Sequence, residues 1–133
     1  MSALVEGATL PTQEFPVTRA SLVRYAGASG DLNPIHWSDR VATAVGLPGV
    51  IAHGMLTMGL AARAVERWTD GAEVVEIGTK FTNPVVVPDD DTGVVVTVDG
   101  TVKKVADGLA TLALTVTVDG TKVLGNPQAV VRA

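Results

Sequence analysis

The sequence contains no cysteine, few aromatic residues and no long apolar run. The lack of cysteine and the lack of a long apolar run each exclude particular kinds of site or protein. Without cysteine the chain cannot form disulfides, bind zinc through thiolates or use a thiol nucleophile. No apolar stretch approaches the ~20 residues that span a bilayer. A formal net charge of −4 provides no general attraction to nucleic acid or to an anionic membrane surface. Neither nucleic acid nor a membrane is therefore expected as a partner.

Valine is abundant where aromatic residues are scarce. The chain has 133 residues, which predicts a single domain over 1–133, and only 4% of them are aromatic. Of its 23 valines, 7 fall in residues 1–70 and 16 in residues 71–133. Because branching at Cβ suits a pleated, buried surface, the second half is predicted to form the sheet. The N-terminal segment lacks the basic flank and apolar core of a signal peptide, so a cytoplasmic location is expected.

The first half carries three helical patterns. The predicted helices cover 19–26 after the cap Thr18, a short segment from the cap Ser38 to Gly46, and 54–68. Gly27 and Gly30 are expected to end the first of them. Small residues cover much of the surface of the long helix 54–68, so it can be approached closely from several sides. A helix wrapped by a sheet needs this property.

After residue 71 the patterns are those of strands. The predicted strands cover 74–82, 93–105, 109–118 and 122–131, and 14–17 is expected to form an edge strand because it contains a proline. Asp107-Gly108 and Asp119-Gly120 have the chemistry of two-residue hairpin turns. Asp99-Gly100 either turns a hairpin or bulges one long strand. Apolar and threonine residues alternate over 109–118, as in an antiparallel sheet with one face on a helix.

Both histidines lie where neither helix nor strand is clearly predicted. His36 ends the segment GDLNPIH at residues 30–36, and His53 comes directly before the long helix. Pro34 biases Asn33 away from the helical conformation, so Asp31 and His36 belong to a loop that can bring both side chains together. A carboxylate and an imidazole placed in this way can share general acid and base work.

Gly54 supplies a third component. As the first residue of a helix it offers a backbone N–H without an intrahelical partner, at the positive end of the helix dipole. A carbonyl oxygen that gains negative charge is stabilised at such a position. The three elements predict proton transfer next to a thioester or a similar carbonyl.

Simpler interpretations of the same residues exist. The segment Asp31-Leu32-Asn33-Pro34 is also an ordinary turn in which Asp and Asn bond their own backbone. His53 is explained more readily as a helix-entry residue than as a catalytic one. Asp31, His36 and His53 together match the composition of a two-histidine, one-carboxylate iron site, but no ligand spacing supports it. We expect no metal and no cofactor.

The segment GDLNPIH resembles the signature G-D-x-N-P-[LIV]-H of the MaoC-like (R)-specific enoyl-thioester hydratases, the hydratase 2 family. The resemblance covers about residues 10–125 and includes Tyr25-Ala26-Gly27, IAHGM at 51–55 and FTNPV at 81–85. The spread SGDLNPIHW…GL…IAHGMLTMG is particularly similar to HadB-type subunits of the (3R)-hydroxyacyl-ACP dehydratases. Near the C-terminus the chain departs from the family, because Pro127 and an apparent extra residue interrupt the last strand, which is therefore expected at an edge or with a bulge.

This resemblance implies a fold, a reaction and a set of roles. The fold implied is the α+β hot-dog fold, an antiparallel sheet wrapped around a central helix, assembled as a homodimer or as a heterodimer with a related subunit. Asp31 and His36 would be the catalytic dyad, Asn33 would orient the loop, and the Gly54 N–H would receive the thioester oxygen. The reaction implied is reversible hydration of a trans-2-enoyl thioester to the (3R)-3-hydroxyacyl thioester, carried on CoA or ACP, with His36 favoured as the base toward C2–H.

Two other functions stay open at this stage. Hot-dog dimers can pair an active chain with an inactive one, so the chain could be a non-catalytic acyl-binding partner subunit. Hot-dog proteins also include acyl thioesterases, which release a free thiol where a hydratase does not.

Overall fold

The computed structural model describes residues 4–133. In chain order the elements are β1 (Thr9–Val17), α1 (Arg19–Ser29), a 3₁₀ turn (Pro34–His36), α2 (Asp39–Ala44), α3 (Gly54–Thr69), β2 (Val74–Phe81), β3 (Val94–Ala106), β4 (Leu109–Val118), β5 (Thr121–Lys122) and β6 (Leu124–Arg132). The predicted long helix and the valine-rich sheet are both present. Among the described residues, no helix has the length and hydropathy required to cross a bilayer.

The strands form one antiparallel sheet in the order β1-β3-β4-β6-β2, and the short β5 pairs with β4. On β4 the apolar residues Ala110, Leu112, Leu114 and Val116 are buried, while the threonines between them are more exposed. This alternation is the predicted one, and it gives the sheet a single core-facing surface. Within the described part of the chain, strand β1 pairs only with β3 and lies at one edge, as its proline indicates.

Helix α3 packs on the core face of the sheet and contacts β1, β2, β3 and β6. Its buried residues are small or medium-sized: Thr57, Ala61, Ala64, Val65 and Thr69. Close approach is evident where the Trp68 ring crosses β3, since a Cβ on Gly100 would lie 2.8 Å from that ring. A sheet curved around one small-residue helix is the hot-dog fold, which places the fold class as α+β.

The helix ends follow local chemistry, with one correction. Thr18 caps α1 through a reciprocal pair of hydrogen bonds with Ser21, as expected for a capping box. Helix α1 runs through Gly27 and ends only at Gly30, whose φ of 76° is left-handed. The prediction that Gly27 ends this helix is therefore wrong, because a glycine inside a helix weakens it without forcing the chain to leave it.

The Asp-Gly pairs of the sheet occur in two different settings, hairpin turns and the interior of a strand. Asp107-Gly108 and Asp119-Gly120 have positive φ at both residues, as two-residue hairpin turns of type I′ require. Asp99-Gly100 lies inside β3, where the register with β4 stays regular until the shift between Val102 and Lys104. The register with β1 shifts directly opposite this pair, between Leu10 and Gln13, so the irregularity there belongs to β1. Gly100 therefore provides space for Trp68 and not a turn.

The last predicted strand is split at Val123 and continues as β6. Strand β6 lies between β4 and β2, so the expectation that Pro127 marks an edge strand is wrong. The alternative expectation of a bulge is confirmed, because the register between β2 and β6 shifts over Gly125–Gln128 and Asn126 has a φ of 44°. The bulge removes the ladder hydrogen bond that proline cannot make.

Candidate active site

The loop between α1 and α2 is held by short side-chain to backbone hydrogen bonds. Ser29 Oγ accepts the Asp31 N–H at 3.1 Å, Asp31 Oδ1 accepts the Asn33 N–H at 3.2 Å, and Asn33 Oδ1 accepts the Ile35 N–H at 3.2 Å. The local turn that the sequence offered as a simpler interpretation is thus formed. The turn occupies only one oxygen of Asp31, and it leaves Oδ2 free to face His36.

His36 is buried, and its tautomer follows from its contacts. Its Nδ1 lies 2.7 Å from the carbonyl oxygen of Ile51. A carbonyl only accepts, so Nδ1 carries the proton and Nε2 of the neutral ring has a free lone pair. Nε2 lies 3.9 Å from Asp31 Oδ2, and the Asp31 side chain is about half exposed, at 51%. This separation is too long for a hydrogen bond, and both atoms stay available to a third group.

A cavity of about 580 Å³ opens in front of these two residues. Asp31 and His36 lie on its wall together with Gly54, and most of the remaining lining is apolar or small, including Ile51, Val85 and Leu124. Small-molecule sites typically combine an apolar lining with a few convergent polar groups. The three residues that the sequence singled out therefore share one cavity.

Gly54 begins α3 and faces that cavity. Within residues 4–133 its N–H has no hydrogen-bond partner, as expected at the first position of a helix. The Phe81 ring packs on it, and a Cβ at position 54 would lie 3.0 Å from the ring carbon Cε1. Glycine at this position lets the aromatic wall come close to the free N–H.

Asn33 lies at the site but not on the cavity wall. Its side-chain oxygen caps the 3₁₀ turn that leads to His36. Asn33 is therefore in a position to order the loop through its backbone N–H and its side-chain oxygen. Within the described residues, the Asn33 side chain makes no hydrogen bond to the side chain of Asp31 or His36.

His53 lies against both dyad candidates. This contact was not predicted from the sequence, which favoured a helix-entry role for His53. It is only 1% exposed, its Nε2 lies 3.1 Å from the carbonyl oxygen of Asp31, and its ring stacks on His36 with centroids 3.8 Å apart. Burial is the largest influence on the pKa of His53 and lowers it below the usual 6.5. His53 precedes α3, but its side chain makes no capping bond. The one signal in the sequence was a histidine next to the predicted oxyanion residue Gly54.

The three residues named for a metal site come within 4.8 Å of one another through their ligand atoms, yet their geometry opposes such a site. A metal lies near the plane of each imidazole that binds it, about 2 Å from the nitrogen. The rings of His36 and His53 are stacked at an angle of 22° with centroids 3.8 Å apart, so their planes share no point at bonding distance from both. The arrangement suits proton transfer, not metal binding.

The site thus offers one imidazole nitrogen with a free lone pair, one carboxylate oxygen and one free backbone N–H, all on an apolar cavity. Such a set can move a proton to or from a carbon next to a carbonyl, while the N–H stabilises the charge on the carbonyl oxygen.

Solved structures share this architecture. A MaoC-like dehydratase superposes with a TM-score of 0.91 and 35% identity, over 97% of this chain and 40% of that chain. A chain of the ChsH1–ChsH2 complex from Mycobacterium tuberculosis has a TM-score of 0.84 and 24% identity, with 97% and 98% of the two chains covered, and thus shares the fold.

The sequence also matches curated proteins and a protein family. It is 38% identical over 79 residues to 3-hydroxyacyl-thioester dehydratase X of Mycobacterium tuberculosis, which is 59% of this chain and 27% of that protein. The chain thus spans about a quarter of the length of this relative. The profile of the MaoC-like domain matches residues 2–122. Since this match extends over most of the sequence, the chain belongs to the MaoC-like domain family.

Proposed function

We propose that the chain catalyses the reversible hydration of trans-2-enoyl thioesters to (3R)-3-hydroxyacyl thioesters. The observation that carries this proposal is the pairing of His36 Nε2 with Asp31 Oδ2 at 3.9 Å on the wall of the cavity that also contains Gly54. Membership of the MaoC-like family and the similarity to a 3-hydroxyacyl-thioester dehydratase support the same reaction.

The chemistry needs one proton shared between the two free sites of the dyad. In dehydration with Asp31 acting as the acid, His36 Nε2 takes the C2 proton, the C2–C3 double bond forms as the C3–O bond breaks, and the Asp31 carboxyl gives its proton to the departing hydroxyl, which leaves as water. The proton on His36 Nε2 then returns to Asp31 Oδ2, which restores the starting state. Hydration runs the same steps backwards. The role of His36 as base is supported by its Nδ1 donor bond to Ile51, which directs the lone pair of Nε2 toward the cavity.

The thioester oxygen would bind the Gly54 N–H at the start of α3. Removal of the C2 proton places negative charge on this oxygen, and both the N–H and the positive end of the helix dipole stabilise that charge. The mainly apolar lining suits the acyl chain, and the carrier, CoA or ACP, would extend out of the cavity.

The decisive experiment measures turnover of crotonyl-CoA and of longer enoyl-CoA by the purified chain, from the absorbance of the conjugated thioester. We expect Asp31→Asn and His36→Ala to lower kcat by about 10³-fold, within the range for loss of a general acid or base. Asp91→Asn in the exposed loop after Pro88 is the matched control, with activity unchanged. Full activity in either dyad variant would refute the proposal.

The same assay separates the other functions. A free N–H and a nearby base would also suit attack of water on the thioester carbonyl, so release of free thiol from the wild-type chain would indicate a thioesterase. If the isolated chain binds enoyl thioester but turns it over only after a related hot-dog subunit is added, the chain is a partner subunit.

We also propose that the functional unit contains two hot-dog chains. A chain of the same fold is part of the ChsH1–ChsH2 complex. The resemblance to HadB-type subunits also implies assembly with a second hot-dog chain. In this chain β2 lies at the edge of the sheet with Val75 and Phe81 exposed by 47% and 57%. Pairing of β2 with a second chain would cover both this edge and one side of the cavity, in a homodimer or a heterodimer.

A further inference from the structure

His53 is the most deeply buried polar group near the proposed dyad, and it lies behind the cavity wall. Its side chain is 1% exposed and it is not among the residues that line the cavity. It nevertheless contacts both Asp31 and His36. We propose that His53 is a positioning residue that holds the Asp31 loop and the His36 ring in their reactive arrangement without touching substrate. This inference rests on the proposed hydratase function.

The first contact fixes the loop. His53 Nε2 lies 3.1 Å from the Asp31 carbonyl oxygen, 22 residues earlier in the chain. The carbonyl can only accept, so Nε2 carries the proton in the neutral ring. The hydrogen bond ties the backbone of the loop to the start of α3. Because Gly54 follows directly, the carboxylate and the oxyanion N–H are held at a fixed distance from each other.

The second contact fixes the plane of His36. The two rings stack at 22°, and the Ile51 carbonyl holds His36 Nδ1 from the edge at 2.7 Å. The stack prevents tilting of the His36 ring, and the carbonyl prevents its flipping. Together they leave one orientation in which Nε2 faces Asp31. Catalysis is sensitive to this placement, since a shift of about 1 Å can cost roughly 100-fold in rate.

The unpaired nitrogen of His53 argues that its role is not stability. Nδ1 is buried and has no hydrogen-bond partner within the described residues. A buried acceptor without a donor destabilises a protein, so an apolar ring would be the more stable choice at this position. The presence of histidine despite this loss of stability fits a ring whose Nε2–H is required to bond the Asp31 loop.

His53 must stay neutral in order to act in this way. The groups that face it are His36, the Tyr25 ring, whose centroid is 4.7 Å away, and Asp31, through both its carbonyl and its carboxylate. Both Asp31 groups raise the pKa of His53, but burial, which lowers it, has the larger effect. When His36 accepts the C2 proton it becomes a cation at stacking distance, and a second cation there would oppose the step. Burial lowers the pKa of His53 and favours the neutral ring.

Kinetics provide the first test. His53→Phe keeps a flat ring and removes the donor, and we expect kcat to fall roughly 10- to 100-fold with KM changed by less than about twofold. His53→Gln returns an N–H donor and should recover part of the lost kcat. Thr69→Val, at the other end of α3 and also buried, is the matched control; it disturbs the helix core and should leave kcat unchanged.

Nitrogen NMR of the imidazoles provides a test that does not depend on turnover. The chain has only two histidines, so the spectrum contains two ring systems. Near pH 7.5 we expect one Nδ1–H tautomer, His36, and one Nε2–H tautomer, His53. In His53→Phe the remaining ring should shift toward a mixture of both tautomers.

The outcomes distinguish the two proposals. An inactive wild-type chain with the expected tautomers would overturn the hydratase function and leave the His53 contacts intact. An active chain in which His53→Phe keeps its kcat and the His36 tautomer would overturn the positioning role. A kcat loss that Thr69→Val reproduces would also overturn it, because a general disturbance of α3 would then explain the effect.

Discussion

At the scale of single residues, the site depends on side chains whose two polar atoms make different contacts. The two oxygens of Asp31 are divided between the loop and the cavity, since Oδ1 accepts the Asn33 N–H and Oδ2 faces His36. The two nitrogens of His36 are divided in the same way between Ile51 and the cavity. Each atom that is proposed to react is therefore oriented by the second polar atom of the same side chain.

The proposed role of Gly54 depends on its lack of a side chain, and this dependence can be tested. Gly54→Ala would place a methyl group 3.0 Å from the Phe81 ring, so the ring must move and the cavity wall beside the N–H changes. We expect kcat/KM for enoyl-CoA to fall roughly tenfold, as for a small misplacement near the reacting group.

Gly59→Ala on the same helix is the matched control for this change, because no atom of the described residues outside the helix backbone and the adjacent positions lies within 4 Å of a Cβ there. It should keep full activity and raise the free energy of unfolding by about 1 kcal/mol, since alanine favours a helix over glycine. Equal losses of activity in the two variants would contradict the assigned role of Gly54.

The buried state of His53 predicts a pH dependence of stability. Burial lowers its pKa in the folded protein below the usual 6.5, so below that pH the unfolded chain binds more protons. With respect to this group, the folded protein is therefore most stable above pH 6.5, where His53 is neutral in both states, and it loses stability as the pH falls through the lower folded pKa. Between pH 7.5 and 5.0 the Tm of wild type should decline more than that of His53→Gln. Parallel Tm curves for the two proteins would rule out a buried neutral His53.

At the scale of elements, one carboxylate joins the helices that carry the site. Asp39 at the start of α2 pairs with Arg19 of α1 through both oxygens, at 2.9 and 3.0 Å, and Oδ1 also accepts the Val50 N–H at 2.9 Å. Arg19 in turn donates to the Val87 carbonyl at 2.7 Å. The segments on both sides of the Asp31–His36 loop are thereby connected.

This connection predicts an acid-sensitive loss of stability. The Val50 N–H, followed by Arg19, holds the pKa of Asp39 below its usual 3.8, so the stabilisation is present above that pH and is lost as the pH falls through the lower folded value. Asp39→Asn should lower Tm at pH 7, and its Tm curve should approach that of wild type as the pH drops below 3.8. Asp91→Asn is the control. A Tm difference that persists unchanged at low pH would contradict this role of Asp39.

Several elements were predictable because short-range chemistry determines them. The Thr18 cap, the two type I′ turns and the alternation along β4 each depend on residues close in sequence. Asp99-Gly100 resembles those turns, but it lies inside β3, where Gly100 pairs with both neighbouring strands and leaves room for the Trp68 ring from α3. A contact with a residue more than 30 positions away cannot be inferred from a dipeptide.

At the scale of the whole molecule, the strand order over residues 4–133 leaves β2 with only one neighbour, β6. Most of its residues are exposed, and an uncovered apolar edge strand pairs readily with another chain. A second hot-dog chain on this edge would complete the wall of the cavity near Phe81.

The proposed assembly predicts that lysine substitutions at two exposed valines have different effects on dimerisation. Val75→Lys on β2 should convert the dimer to a monomer at micromolar concentration, because pairing there would bury the charge. Val95→Lys on β3 changes a valine of similar exposure, 42% against 47%, on a strand with neighbours on both sides, and should leave the dimer intact. Sedimentation velocity of the three proteins measures this, and a wild-type monomer would refute the assembly through β2.

The sequence by itself determined the caps, the hairpin turns, the one-sided sheet and the loop that presents Asp31 and His36, because these depend on neighbouring residues and on periodicity. Tertiary structure alone decided the tautomer of His36, the burial of His53 against the dyad and the position of β2 at the edge. The Ile51 carbonyl lies 15 residues from His36, and the His53 ring bonds a carbonyl 22 residues away. Such contacts arise only when the chain folds, so the reactive arrangement is a property of packing around the start of α3.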